Sequence, residues 1–304
     1  MISVCIPVYN YNASALVNAL IRQSDLVAVP VEIIVIDDGS SNDYKSWHKP
    51  VSEKFRYFEM EKNIGRAKIR NLFLEYAQYE YLLFLDCDAL VVTDDFIETY
   101  IKAIAVNASH NVFCGGRIFS DEIPEKSQLL RWKYGKYRES QPVSVRERKP
   151  NNAFMTNNFL IGRQVFSKHK FDERIYRYGH EDTLFGYVLK KNNIEVKHIH
   201  NPICNGDLES NAAYLQKTEE ALKNLCFIVN DLNEDQEFID SIRLLHIYFK
   251  LKVYKLTGLL KLTGTILRPL LKAMLLAGWV HLKLFDLYKL VFFVKYYKKT
   301  PVVI

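Results

Sequence analysis

The stretch Tyr81-Leu-Leu-Phe-Leu-Asp-Cys-Asp88 decides how this chain is read. Five apolar residues stop abruptly at two carboxylates, the pattern of a strand covered on both faces that delivers acids to its carboxyl end. Toward the N-terminus, Ile2-Ser-Val-Cys-Ile-Pro-Val8 and Val31-Glu-Ile-Ile-Val-Ile36 repeat the form, and they run into Tyr9-Asn10 and Asp37-Asp38-Gly39-Ser40. The apolar periodicity from Ala13 to Ile21 predicts a helix between them, which makes a β-α-β unit. Further strands are expected at Arg56–Glu59 and Val112–Cys114, with helical patterns over Gly65–Tyr79 and Asp94–Asn107. Strands alternating with helices predict an α/β fold with a mostly parallel central sheet. Ligands of such sheets bind beyond the carboxyl ends of the strands, so the three polar clusters are expected to share one edge.

Composition narrows the classes. A chain of 304 residues with 49% hydrophobic and 25% charged content is neither disordered nor collagen-like. Cysteines 5, 87, 114, 204 and 226 have neither zinc-site spacing nor the density of a disulfide scaffold, so a reducing compartment is expected. The first residues show no basic segment followed by an apolar one, so no signal peptide is expected. The net charge of +6 conceals a split. Residues 243–299 hold twelve Lys or Arg against one acid, Asp286, and the rest of the chain is net acidic. The expected organisation is a sheet domain over 1–230 and a helical, basic and apolar appendage over 231–304. Residues 119–152 are irregular and basic, and read as a long functional excursion.

Several residue groups suit chemistry. Asp86 and Asp88 could bridge an oxygen-seeking cation to phosphate oxygens, although Asp-x-Asp alone is more often a turn or a cap. Asp38 could accept hydrogen bonds from a base or ribose, or merely close a turn. Glu181 and Asp182 precede the apolar-periodic run Thr-Leu-Phe-Gly-Tyr-Val-Leu, which puts an acidic pair at a helix N-terminus. His198 and His200 alternate on an expected strand, so both imidazoles would share a face.

Val4-Cys-Ile-Pro-Val-Tyr-Asn10, Asp37-Asp-Gly-Ser40, Asn63-Ile-Gly65 with Arg70-Asn71, Leu85-Asp-Cys-Asp88 and Gly179-His-Glu-Asp182 occur in this order. Together they resemble the family 2 glycosyltransferases of the GT-A fold, over roughly residues 1–230. The resemblance implies a Rossmann-like nucleotide-sugar domain that binds a divalent cation, Mn²⁺ or Mg²⁺. It places Pro7, Tyr9, Asp38 and Arg70 on the nucleotide, Asp86 at ribose or metal, and Asp88 on the metal. It makes Asp182 the base, with Glu181 orienting hydroxyls, and it implies an inverting transfer without a covalent intermediate. The pair Asn157-Asn158 stands where relatives carry an Asn lining the sugar and acceptor side, with Asn158 favoured, and Trp132 and Tyr134 are candidates to stack on an acceptor sugar. Relatives take a third metal ligand, a His, past an Asn-Pro pair. After Asn201-Pro202 this chain offers Asn205 or Asp207, with His200 as substitute, or the ion is held by Asp88, the diphosphate and water alone.

In the tail, Lys272, His281, Lys283 and Lys289 interrupt every apolar run short of a membrane span. Arg243, Lys250, Lys261, Arg268 and Lys272 fall in one stripe at helical spacing beside a wide apolar face, and Gly258, Gly264 and Pro269 argue for a break. This composition suits docking on the anionic inner face of the plasma membrane, with a helical cap or homodimer interface as the competing use. Nucleic acid is not an expected partner, because the lysines lie among Leu and Phe. The expectation is a cytoplasmic, peripheral enzyme moving a sugar from a UDP-sugar to a hydroxyl of a lipid-linked or growing glycan, in cell-envelope or capsular polysaccharide synthesis. The rivals are a noncatalytic nucleotide-sugar-binding scaffold and a nucleotidyltransferase, the latter disfavoured by the lack of a Gly-rich, basic loop for a triphosphate.

Overall fold

The computed structural model describes residues 1–45, 55–175 and 178–298. They divide into two compact units. One comprises Met1–Ser120, Glu139–Tyr176 and Glu181–Asp207; the other comprises Asp121–Arg138, Arg177–His180 and Leu208–Ile304.

The first unit is built on a seven-stranded sheet. Its strands are β1 (Ile2–Val8), β2 (Val31–Asp37), β3 (Phe55–Glu59), β4 (Tyr81–Leu85), β6 (Val112–Cys114), β8 (Asn158–Gly162) and β9 (Lys197–His198). Their order is β3-β2-β1-β4-β8-β6-β9. A smaller sheet has the order β5 (Ala89–Val91), β10 (Ile203–Asn205), β7 (Arg117–Ile118). β1 pairs in parallel with β2 on one side, Val4 opposite Ile33, and with β4 on the other, Val4 opposite Leu83. Strand order therefore reverses at β1, which opens a crevice beyond the ends of β1, β2 and β4.

Both faces of the sheet are covered, which is why its strands read as nearly unbroken apolar runs. Leu16, Val17 and Leu20 of helix Ser14–Ser24 pack on one face with Phe96, Ile97 and Tyr100. On the other, Ala67, Ile69 and Phe73 of helix Arg66–Tyr76 meet Phe84, Phe159, Phe166, Phe171 and Phe185. Phe84 stacks on Phe159 at 4.8 Å and Phe73 meets it edge-on at 5.6 Å, geometries favoured by the aromatic quadrupole.

β8 is the element that sequence periodicity did not separate from its neighbours. It runs antiparallel between β4 and β6, all five residues buried, with Leu85 opposite Asn158. The expected strand carrying both histidines is also shorter. β9 ends at His198, which is buried, and His200 lies beyond it, exposed, so the two imidazoles do not share a strand face.

The second unit is helical: Leu129–Tyr134, Asn211–Asp231, Gln236–Ser241, Arg243–Val253, Thr257–Leu276 and Leu282–Tyr296. Ser210 and Asp235 cap two of these helices by accepting from the amides of Ala213 and Phe238. Leu130, Tyr214, Leu215, Leu271, Leu275, Phe285 and Tyr288 form its core. Glu219 accepts from Arg268 at 3.1 Å, from Lys272 at 3.3 Å and from the Tyr288 hydroxyl, so two cations of the stripe expected in the tail pair inside the protein. Pro269 does not break its helix; the chain turns instead at Lys255 and at Gly278, both with positive φ. At Gly278 an added Cβ would meet the Lys126 carbonyl oxygen at 2.8 Å. Among the described residues, no helix is long and apolar enough to cross a membrane.

Candidate functional site

The loops that leave β1 and β2 are stitched together. Asn10 donates its amide to Ser40 Oγ at 2.7 Å and accepts the Ser41 amide at 2.9 Å. Asn10 sits in the left-handed region (φ 48°), which Asn tolerates, and Tyr9 beside it is 51% exposed. Pro7 is half-buried at the end of β1. Asp38 is buried and accepts from the amides of Ile64 and Gly65 at 2.7 and 3.2 Å, so it fixes the turn before helix Arg66–Tyr76 and keeps its remaining lone pairs for a ligand. Burial raises its pKa, and the two amides oppose the rise.

Helix Arg66–Tyr76 then supplies two guanidinium groups one turn apart on the same face. Arg70 is 1% exposed, so it is no surface cation, and it donates to Asp86 Oδ1 at 2.7 Å. Arg66 donates through Nε to Glu181 Oε1 at 2.8 Å and reaches Asp86 Oδ2 at 3.5 Å. Asp86 and Glu181 are thereby joined through one side chain, although 95 residues separate them in the chain. Burial alone would raise both carboxyls, but Arg66 and Arg70 hold both below their ordinary range, with Arg117 adding to the effect at Asp86.

Two carboxyls in the same site behave oppositely. Asp88 is raised by burial and by the charge of Asp86. Asp182 is pushed up to about 6 by burial and by Glu181. Helix Glu181–Lys191 begins at this pair, and its N-terminus would favour ionised carboxylates, so burial and like charge win at Asp182. Asp182 Oδ1 accepts from the Thr183 amide at 2.7 Å and the Thr183 hydroxyl at 3.2 Å, which leaves Oδ2 to handle a proton. A carboxyl of about pKa 6 with one oxygen tethered and one open suits a general base.

The Asn pair divides differently from expectation. Asn158 is occupied within the fold: its Oδ1 accepts from the Tyr100 hydroxyl at 2.7 Å, and its Nδ2 donates to the carbonyls of Gly116 and Asn201. Asn157 is 4% exposed, and both its side-chain polar atoms lack a partner among the described residues. Its carbonyl accepts the Asp86 amide at 3.2 Å. Buried amides without partners are rare, and they mark a place where a ligand or water completes the bonding.

The histidines do not join this cluster. Arg146 donates to His198 Nδ1 at 2.6 Å, and Nε2 meets the Pro150 carbonyl at 2.9 Å, so both ring nitrogens of His198 are in use. Among the described residues no three His, Cys, Asp or Glu side chains form a metal-holding group, and His200 is not drawn to Asp86 and Asp88 in one. Asp207 is better placed. The Gly206 amide donates to the Asp88 carbonyl at 2.9 Å, and the Tyr11 hydroxyl, raised by burial, feels the charges of both Asp207 and Asp88. Trp132 and Tyr134 belong to the helical unit, where Trp132 is buried edge-on to Tyr137 and Tyr134 packs edge-on to Phe285. The sequence did not single out Arg66, and of the pair Asn157-Asn158 it favoured the second. The four-residue spacing of Arg66 and Arg70 was the available signal for Arg66, and nothing local distinguished Asn157 from Asn158.

The sequence model of Glycosyl transferase family 2 matches residues 3–170, more than half of the chain. The chain belongs to this family. Among curated proteins the chain is similar to chondroitin synthase of Escherichia coli, 23% identical over 227 aligned positions that cover 62% of this chain and 32% of that one. It is also similar to hyaluronan synthase of Pasteurella multocida, 24% identical over 191 positions, 53% of this chain and 20% of that one. The aligned part thus spans about a third or less of these relatives. Among solved structures, a mannosyltransferase of Pyrobaculum calidifontis with GDP-Man and Mn²⁺ superposes with a TM-score of 0.55 at 14% identity, over 77% of this chain and 64% of that one. S. aureus TarS 1–349 with UDP-GlcNAc gives 0.52 at 18% identity, over 95% and 90%. These likenesses establish the GT-A fold.

Proposed function

We propose that this glycosyltransferase moves a sugar from a nucleoside diphosphate donor, UDP-linked by our reading, to a hydroxyl of a lipid-linked or growing glycan in polysaccharide synthesis. The observation that carries the reading is the Asp86–Arg66–Glu181 bridge, which ties the strand-end carboxylates to the helix that presents Asp182. Tyr9 offers an exposed ring for the base, and Asp38 the acceptor lone pairs for base or ribose. Asn157 offers an unsatisfied amide to the sugar or acceptor.

In the transfer, Asp182 Oδ2 takes the proton of the acceptor hydroxyl as its oxygen attacks the anomeric carbon. The bond from that carbon to the donor diphosphate breaks as the new one forms, on the opposite face, so configuration inverts. Glu181, held ionised by Arg66, orients hydroxyls and keeps the Asp182 carboxyl basic. The donor set fits a hard divalent cation: Asp88 is a half-buried carboxylate with no cation paired to it among the described residues, and Asp207 lies on the same side. Such an ion, when bound, supplies charge stabilisation for the leaving diphosphate. The liganded neighbours with GDP-Man and Mn²⁺ and with UDP-GlcNAc support both donor class and metal.

The helical unit, by this reading, docks on an anionic membrane surface. Helix Thr257–Leu276 exposes Leu259, Leu262, Ile266 and Leu270 at helical spacing, in a segment rich in cations. The test is release of nucleoside diphosphate from UDP-, GDP- and dTDP-sugars with Mn²⁺, Mg²⁺ or EDTA and added lipid extract. Metal-dependent release from one donor, lost in Asp88→Ala and Asp182→Asn, is expected. Turnover that survives Asp182→Asn would remove the base from Asp182, and metal-dependent donor binding without turnover under every acceptor would favour a scaffold.

A further inference from the structure

A cavity of about 440 Å³ opens in the helical unit, and every residue lining it belongs to that unit. Its walls are largely apolar: Leu222 and Leu225 from helix Asn211–Asp231, Leu244 and Ile247 from helix Arg243–Val253, Leu287 and Leu290 from helix Leu282–Tyr296, with aromatic rings such as Tyr214 and Phe285 among them. Protein interiors close over apolar side chains at near-crystalline density, and a space of this size walled by leucine and isoleucine is within the range that binds small molecules.

The charged residues of the cavity have one sign in excess. Arg138, Arg243 and Lys289 line it against a single acid, Asp286. Asp286 is already shared, accepting from Arg138 at 3.1 Å and pairing with Lys289 at 3.0 Å. Arg243 is exposed and has no ion-pair partner among the described residues. An apolar wall with cations around it calls for a molecule with an apolar chain and an anionic head.

We propose that this cavity binds the chain of an anionic amphiphile, a phosphorylated isoprenoid or acyl lipid, with the phosphate held by Arg243 and the Arg138–Lys289 pair. The site is distinct from the carboxylate cluster, and His180, which also lines it, is followed in the chain by Glu181 and Asp182. The inference deepens the proposed function by giving a lipid-linked acceptor a place for its lipid, and it rests on that reading only for the ligand's purpose. Binding is measured without donor, metal or turnover, so the two readings can fail separately.

The experiment is calorimetry on the full chain with decyl phosphate, farnesyl phosphate, decanol and inorganic phosphate, all below micelle formation. Saturable one-to-one binding is expected for the phosphorylated chains, tighter by about fourfold per added methylene until the cavity is full. Decanol should bind at least tenfold more weakly, and phosphate alone not measurably. A preference for farnesyl over decyl phosphate beyond what the five extra carbons supply would identify an isoprenoid source, and a preference at or below that an acyl one. Arg243→Glu, at an exposed position, should weaken the phosphorylated chains tenfold and leave decanol unchanged. Leu225→Trp should narrow the cavity and weaken binding of all chains. Ile247→Glu, at a partly exposed wall position, repeats that arm should Leu225→Trp fail to fold. Binding that ignores all three substitutions, or that occurs on anionic vesicles but never with monomeric amphiphile, overturns the proposal.

Discussion

The two units handle charge in opposite ways. In the sheet unit, ionised groups lie inside and are matched: Arg70 is buried on Asp86, and Arg66 joins Asp86 to Glu181. In the helical unit, apart from buried Arg131 and the Arg268 and Lys272 that pair with Glu219, many cations lie toward the surface, and apolar side chains face outward, with Leu262 71% and Ile266 78% exposed. Buried charge is costly unless it is paired, so its presence at strand ends marks a site whose geometry is fixed in advance. Outward apolar surface next to cations marks a unit completed by something outside it.

The sharpest way to break the comparison is at the pre-fixed site. Asp182→Asn should lower kcat by on the order of 10²–10⁴-fold while donor affinity measured by calorimetry stays unchanged. A loss of donor affinity instead would make Asp182 a binding group. Next, Arg70→Met leaves Asp86 without its buried partner and should cost about 3 kcal/mol in denaturant unfolding. An unchanged midpoint would mean that Arg66 alone suffices to hold Asp86.

A finer contrast separates the two asparagines. Asn158→Ala strands the Tyr100 hydroxyl and two carbonyls and should cost about 1–3 kcal/mol of stability. Asn157→Ala, which strands nothing in the protein, should leave stability within about 0.5 kcal/mol and raise the KM for donor or acceptor. Equal effects on stability would remove Asn157 from the ligand side. In the helical unit, Leu262→Ser with Ile266→Ser should leave the melting temperature near wild type and lower co-sedimentation with anionic vesicles several-fold. The smallest effect is in pH: Asp182 must be ionised to act, so the rate should rise with pH through a limb near 6 and fall below it as the carboxyl takes up its proton. A limb near 4 would mean that neither burial nor Glu181 burdens the Asp182 carboxyl.

Much of the sheet was legible because a strand buried on both faces needs no partner to be recognised. β1, β2 and β4 are apolar runs broken only by Ser3 and Glu32, and the acids at their ends stand out against that background. β8 was not legible, since its place between β4 and β6 is a long-range antiparallel pairing that leaves no local mark. The role of Arg66, and with it the bond that ties Glu181 to Asp86, was hidden for the same reason. His198 and His200 show the limit of periodicity: a two-step spacing puts side chains on one face only while the strand continues, and β9 stops first. In the tail, Pro269 was expected to break a helix that packing of Leu271 and Leu275 into the core holds straight through it.

That proline has a consequence for depth. With no N–H to give, Pro269 deprives the Thr265 carbonyl of its usual donor one turn ahead, on the exposed part of helix Thr257–Leu276. In hydrocarbon such an oxygen has nothing to bond, whereas at the level of the lipid phosphates water reaches it. On a bilayer this helix would therefore float with Thr265, on the flank of its apolar stripe, at the water line, like a keel that is wetted on one side only, and its leucines would reach no deeper than the upper acyl carbons.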